Sequence, residues 1–150
     1  MEQEQLYSLQ DSMENASNDE RMSKVKELFP SFKIHTSKIG ISSKGANKYR
    51  VTIINEGLKF STTFTDSMHN TCQNTPSHKI EMLYCILMDA QCYDNYDNLE
   101  DFADNYGYDL YEERSKAKKC FYGCERTYNN IIELFGYEGY EILNAIVYGV

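Results

Sequence analysis

Two alternating apolar stretches, separated by a short turn, restrict the fold of this chain most strongly. Apolar side chains recur at every second residue in YRVTIIN (49–55) and again in LKFSTTFT (58–65). A period of two is typical of strands that bury one face. Asn55-Glu56-Gly57 joins the stretches, and its glycine suits the positive φ of a tight turn. The sequence therefore predicts a β-hairpin, to which FKIHTSKIGI (32–41) adds a third strand.

The remaining apolar patterns are helical. They predict helices over 3–13, 19–29, from Pro76 onward, 98–106, 110–135 and 137–147. Thr75 and Asn98 are suitable N-caps, and Gly107 and Gly136 are suitable helix ends. Two faces are predicted to be buried. In the Pro76 helix this face contains Ile80, Leu83, Tyr84, Leu87 and Met88, and in the long helix it includes Cys120, Phe121 and Cys124.

These elements predict an α+β fold. A small antiparallel sheet of about three strands, with a central hairpin, precedes a packed C-terminal helical bundle. Residues 1–30 are predicted to form an N-terminal helical, mobile segment. Residues 31–150 are predicted to form a single α+β domain, which is a typical domain size.

Charge is distributed unevenly along the chain. Residues 21–79 carry ten Lys or Arg and three acids, whereas residues 80–113 carry ten acids and no Lys or Arg. The net charge of −8 repels phosphates, which argues against direct nucleic-acid binding and favours protein partners with positive surfaces. The chain lacks an apolar run of the roughly 18 residues that span a membrane, and MEQEQLYSLQ lacks the features of a signal peptide. We therefore expect a cytoplasmic protein without membrane contact.

The sequence contains no recognisable catalytic motif. Walker, G-x-G-x-x-G, G-x-S-x-G and H-E-x-x-H patterns are all missing. The five cysteines are an odd number, and we expect them to be reduced and mostly part of the core. A loop with Asp66, His69, Cys72 and His78 has metal-binding residue types, although exposed loop polarity explains it more simply. We expect no enzymatic activity, no cofactor and no metal.

The segment from Asp89 to Glu113 combines nine carboxylates with five tyrosines. At 100° per residue, the short helix at 98–106 places Leu99, Phe102, Ala103 and Tyr106 on one side and its acids on the other. Three interpretations remain open: a solvated face, a calcium site without an EF-hand loop, or a docking surface that mimics the phosphates of nucleic acid. For docking, the predicted partner-binding residues are Asp94, Asp97, Glu100, Asp101, Asp104, Tyr93, Tyr96, Tyr106 and Tyr108.

Three stretches within residues 48–136 are similar to a group of small accessory proteins of bacteriophages and mobile elements. They are MLYCILMDA (82–90), LEDFADNYGYD (99–109) and RSKA (114–117), the last with Arg-Ser where the group has Ser-Arg. The resemblance implies a phage or mobile-element origin, and small acidic proteins of this kind include anti-CRISPR inhibitors of host defence. It carries over no catalytic residues.

From charge and resemblance together we expect a non-enzymatic, phage-encoded inhibitor of a bacterial defence system. Its partner is expected to be a CRISPR effector in the cytoplasm of the bacterial host, blocked at its nucleic-acid-binding surface by the acidic helix. The alternative is a phage regulatory or replication-associated module that binds another protein without inhibiting defence.

Overall fold

The computed structural model describes residues 1–65 and 76–148. Within these ranges the chain forms five helices and three strands: α1 Gln3–Met13, α2 Asn18–Leu28, β1 Lys33–Ile41, β2 Asn47–Asn55, β3 Leu58–Thr65, α3 Pro76–Asp94, α4 Leu99–Tyr106 and α5 Arg114–Tyr148. The order of elements confirms the predicted α+β class. The predicted N-cap Thr75 lies outside the described residues.

The sheet is antiparallel, in the order β1-β2-β3. Ile53 of β2 lies opposite Phe60 of β3, and Asn55 lies opposite Leu58. This register leaves Glu56 and Gly57 as a two-residue turn, and both have positive φ, 50° and 78°. Such angles define the type I′ turn, whose twist matches that of the flanking strands. The predicted hairpin is confirmed.

One hydrogen bond joins the sheet to the long helix at a weak point of that helix. The amide Nδ2 of buried Asn55 donates to the carbonyl oxygen of Leu134 at 2.9 Å. Two residues later Gly136 interrupts α5, with φ 75° and ψ 165°. Carbonyl groups in the last turn of a helix lack intrahelical donors. The Asn55 amide provides such a donor to the carbonyl of Leu134. The predicted break at Gly136 is confirmed.

The N-terminal helices share the main hydrophobic core with the sheet and with α3 and α5. Leu6 and Met13 of α1 and Met22 and Val25 of α2 are buried in it. The guanidinium of Arg21 adds polar contacts between the two ends of the chain. It donates to the carbonyl oxygens of Met13, Ala16, Ile146 and Val147 at 2.7–3.3 Å. Residues 1–30 are therefore joined to residues 31–150 by both apolar and polar contacts.

Ile80, Leu83 and Leu87 of α3 are buried as predicted, but the rest of the predicted stripe is not. Tyr84 and Met88 are 39% and 42% exposed, whereas Met82 and Ile86 are buried. The reason is tertiary, because α3 packs against both α2 and α5. A helix between two neighbours buries side chains around much of its circumference, so a single stripe does not describe it.

The long helix begins at Arg114, four residues after the predicted start at Leu110. The segment before it forms a turn around Asp109. Its carboxylate accepts the backbone N–H of Tyr111 at 2.9 Å, and its carbonyl accepts that of Glu113. An Asp side chain that bonds the backbone two residues later competes with helix formation, which explains the delayed start.

Candidate functional site

Helix α4 carries the centre of the predicted docking surface, and both of its ends are capped. Asn98 Oδ1 accepts the backbone N–H of Asp101 at 2.8 Å, as expected for an N-cap. Gly107 ends the helix in the left-handed conformation, with φ 77°. Both predicted caps are confirmed. Together they stabilise a helix of eight residues, which is too short to be stable in isolation.

A second hydrophobic cluster, here called the small core, fixes α4 to α5. Its buried members are Leu99, Phe102, Ala103, Ala117 and Phe121. The rings of Phe102 and Phe121 lie 5.1 Å apart between centroids. Full burial of one such side chain contributes about 1.5–3 kcal/mol, so the small core sets the orientation of α4 on the rest of the protein.

The acidic surface consists of Asp94, Asp97, Glu100, Asp101 and Asp104. Asp94 ends α3, Asp97 lies in the connecting turn, and the other three lie on α4. Asp101 is half-buried and the other four are exposed. The helix therefore buries its apolar side in the small core and directs its carboxylates outward.

Within the acidic surface, Asp101 and Asp94 take part in the fold. The Asp101 carboxylate lies 3.4 Å from the backbone N–H of Asp97 and 3.3 Å from the amide of Asn105. Asp94 accepts a long hydrogen bond, 3.4 Å, from the hydroxyl of Tyr140. Asp97, Glu100 and Asp104 are consequently the carboxylates whose replacement changes the surface with the least effect on the fold.

The acidic surface is poorly neutralised by the protein itself. Among the ion pairs of the described residues, one reaches it, between Arg114 and Glu100 at 4.0 Å. Both side chains are more than half exposed. An exposed pair at this distance contributes at most about 1 kcal/mol. The surface therefore keeps nearly its full negative charge.

The predicted contact tyrosines are less accessible to a partner than the carboxylates of the acidic surface. Tyr93, Tyr96 and Tyr108 are half-buried against the small core. Tyr106 is 50% exposed, although its ring lies 4.6 Å from that of Phe102. Most of the ring area in this set therefore stabilises the fold, and Tyr106 offers the largest share to a partner.

The segment between α4 and α5 carries one further exposed aromatic residue, which helical periodicity did not predict. Tyr111 is 96% exposed and follows the Asp109 turn. It belongs to no helical stripe, and its position two residues after an Asp was the signal that could have identified it. It adds an exposed ring three residues before α5 begins.

Tyr93 and Tyr106, beside the acidic surface, both have a raised pKa and stay neutral at physiological pH. The hydrogen bond with Cys92 is the main cause that raises the pKa of Tyr106, and burial adds to it. Burial, followed by the neighbouring Glu125, raises the pKa of Tyr93. The charge of this region therefore comes from its carboxylates.

A groove of about 600 Å³ lies between β3, α3 and α5, and Cys120, Cys124 and Asp89 line it together with Lys116 and Lys119. Burial raises the pKa of Asp89 to about 6 and that of the Cys124 thiol above its usual value.

Cys124 is buried as predicted, but Cys120 is exposed, so its assignment to the buried face is wrong. Here α5 packs on α4 through Ala117 and Phe121 and leaves the side that carries Cys120 open.

Of the four residues in the predicted metal-binding loop, the structure describes one, His78. Asp66, His69 and Cys72 lie outside the described residues, and His78 is half-buried in the first turn of α3. In the ranges 1–65 and 76–148, no three His, Cys, Asp or Glu side chains are arranged to hold a metal ion.

Comparison with known proteins identifies no relative. No protein-family model matches the chain, and neither the curated proteins nor the solved structures contain a significant match. Over the described part of the chain, none of the helices has both the length and the apolar character that a membrane crossing requires.

Proposed function

We propose that this chain is a non-enzymatic, phage-encoded inhibitor of a bacterial defence system. Its acidic surface would occupy the basic nucleic-acid groove of a CRISPR effector nuclease. The main support for this proposal is the row of outward-facing carboxylates on α4. Among the described residues, these carboxylates form one weak ion pair, between Glu100 and Arg114. The resemblance of three sequence stretches to phage accessory proteins supports the choice of target.

The spacing of the carboxylates suits a groove that binds nucleic acid. Glu100 and Asp104 are four residues apart on α4, so their Cβ atoms lie about 5–6 Å apart. A DNA strand presents one phosphate about every 3.4 Å. Asp97 precedes the helix, and its backbone N–H lies 3.4 Å from the Asp101 carboxylate, so it adds a further acid beside the start of α4. Lys and Arg side chains adjust over such differences, and a basic groove would accept this row in place of phosphates.

Rigidity of α4 favours binding over simple solvation. Asn98 and Gly107 cap the helix, and Phe102 anchors it in the small core. A surface that is already ordered loses little conformational entropy when a partner binds. Like charges at i,i+4 destabilise a helix by a few tenths of a kcal/mol per pair, so a cationic partner also relieves a repulsion that is present in the free protein.

Cleavage assays test the proposal directly. A panel of purified CRISPR effector nucleases, each with guide RNA and matched target DNA, is assayed with and without the protein. We expect inhibition of at least one effector, with an affinity that falls steeply as salt concentration rises, because the contact is largely electrostatic. An absence of inhibition across the panel, combined with recovery of only phage proteins in pull-downs, would favour the regulatory alternative.

Matched charge reversals locate the inhibitory surface. The variant Asp97→Lys/Glu100→Lys/Asp104→Lys should lose inhibition and still fold. The control, Asp11→Lys/Glu14→Lys/Glu133→Lys, changes net charge equally at exposed acids outside the acidic surface and should still inhibit. Inhibition by a folded Asp97/Glu100/Asp104 variant would disprove docking through α4. An equal loss in both variants would show that net charge, and not this surface, is responsible.

A further inference from the structure

We propose that a second site, which shares no residue with the acidic surface, binds a small molecule that carries two or more phosphate groups. The site is a pocket of about 440 Å³ between α2, β1 and the start of α3. Its described lining consists of Lys26, Pro30, Phe32, Lys33, Ile34, His35 and Lys79. We call it the basic pocket.

Three elements bring one lysine each to the basic pocket. Lys26 lies in the last turn of α2, Lys33 begins β1, and Lys79 lies in the first turn of α3. Residues so far apart in sequence meet only in the folded chain. The site is therefore a product of the fold and not of a local run of basic residues.

The cations of the basic pocket lack anionic partners in the described structure. Its described lining contains no carboxylate, and none of the three lysines forms an ion pair with another described residue. Lys79 is moreover half-buried. Ammonium groups that share one pocket repel one another, and burial strengthens the repulsion. A bound anion removes this cost, which is notable in a chain whose net charge is −8.

The floor of the basic pocket is preformed. Phe32 and Ile34 are 3% and 4% exposed and belong to the main core. A floor that is part of the core does not have to be reorganised when a ligand binds. The volume of about 440 Å³ falls within the usual range for small-molecule sites.

The chemistry of the lining selects phosphate groups and a small ligand. Lysine binds phosphate as a point charge, and three lysines can share two or three phosphates. His35 adds ring nitrogens that can donate a hydrogen bond. The pocket encloses about 440 Å³, so a compact ligand can place its phosphates among the three lysines, whereas a nucleic-acid polymer would leave most of its phosphates outside.

Isothermal titration calorimetry of the full chain, at constant ionic strength, tests the site with inorganic diphosphate, ADP and adenosine. We expect diphosphate and ADP to bind with one site per chain and adenosine not to bind. Equal affinities for diphosphate and ADP would mean that the phosphates alone are recognised. Tighter binding of ADP would mean that a nucleotide is the ligand. Lack of binding by both phosphate compounds would overturn the proposal.

Paired variants show whether the basic pocket is responsible. Lys33→Ala/Lys79→Ala should weaken diphosphate binding at least tenfold, and Lys33→Arg/Lys79→Arg should largely restore it. Lys116→Ala/Lys119→Ala removes the same charge from the groove on α5 and should leave the affinity within about twofold of wild type. Equal weakening by both alanine pairs would overturn the assignment, as would unchanged binding by Lys33→Ala/Lys79→Ala. Circular dichroism of each variant confirms that it is folded.

Discussion

The hydroxyl of Tyr106 lies 2.8 Å from the sulfur of Cys92. Tyr106 is the last residue of α4 and Cys92 lies in the last turn of α3, so this hydrogen bond joins the end of the acidic helix to its neighbour. Opposite, the N-cap Asn98 fixes the beginning of α4. The orientation of α4 on the protein therefore depends on the Tyr106–Cys92 contact in addition to the small core, whereas the Asn98 cap stabilises the start of the helix itself.

A double-mutant cycle measures the contribution of this bond. Tyr106→Phe and Cys92→Ala should each lower the free energy of unfolding by about 0.5–1.5 kcal/mol, because a hydrogen bond contributes about that much. The double variant should lose less than the sum, with a coupling of about 0.5–1 kcal/mol in urea denaturation. Strict additivity would show that the contact contributes nothing to stability.

Arg21 should be one of the most sensitive polar positions, because its guanidinium binds carbonyls of α1 and α5. Arg21→Ala should lower the free energy of unfolding by about 2–3 kcal/mol, since it leaves several half-buried carbonyls without donors. Arg21→Lys should recover little of this loss, because an ammonium cannot reproduce the planar fork. Chemical denaturation measures both.

The control for Arg21 is Lys24→Ala. Lys24 pairs with the exposed Glu27 at 2.9 Å, one turn further along the same helix. Loss of such a pair should change stability by no more than about 0.5 kcal/mol. If Arg21→Ala lowered the free energy of unfolding as little as Lys24→Ala, water would have to replace the Arg21 hydrogen bonds between the chain ends readily.

Two glycines of α5 are predicted to respond in opposite directions to alanine. Gly136 has φ 75° and ψ 165°, a region that only glycine occupies readily, so Gly136→Ala should cost about 1–3 kcal/mol. Gly123 lies in regular helix, and Gly123→Ala should stabilise by about 0.5–1 kcal/mol. At either position an added Cβ meets no atom within 4 Å. Thermal unfolding of both variants therefore tests backbone conformation alone, and a stabilising Gly136→Ala would contradict the assigned break.

Features determined by local chemistry were predictable from the sequence. The turn at Gly57, the cap at Asn98 and the helix ends at Gly107 and Gly136 each follow from a backbone requirement that one residue type meets best. The outward direction of Glu100 and Asp104 follows from helical geometry once the helix is recognised. None of these conclusions requires knowledge of a distant residue.

Features determined by tertiary contacts could not be predicted in the same way. Tyr84 and Cys120 are exposed because of how α3 and α5 pack against their neighbours, which periodicity does not report. The burial of Tyr96 and Tyr108 likewise depends on the small core. In the basic pocket, Lys26 and Lys79 meet although 53 positions separate them. The sequence showed only that residues 21–79 carry an excess of positive charge.

Asp89 is expected to lower the stability of the protein at neutral pH. Burial raises its pKa to about 6, whereas an aspartate in the unfolded chain titrates near 3.9. Between about pH 4 and 6 the folded chain thus binds more protons at this site than the unfolded chain. The contribution of Asp89 to the free energy of unfolding therefore falls as pH rises through this window and stays low above it.

Asp89→Asn should remove this dependence. We expect the variant to be more stable than wild type by about 3 kcal/mol near pH 7.5, since the pKa rises by about two units and each unit corresponds to about 1.4 kcal/mol; the difference should shrink toward zero near pH 4. Urea denaturation at several pH values measures it. Asp104→Asn, at an exposed position, should stay within about 0.5 kcal/mol of wild type throughout. A pH-independent gain in Asp89→Asn would mean that packing, and not titration of the carboxylate, separates the two proteins.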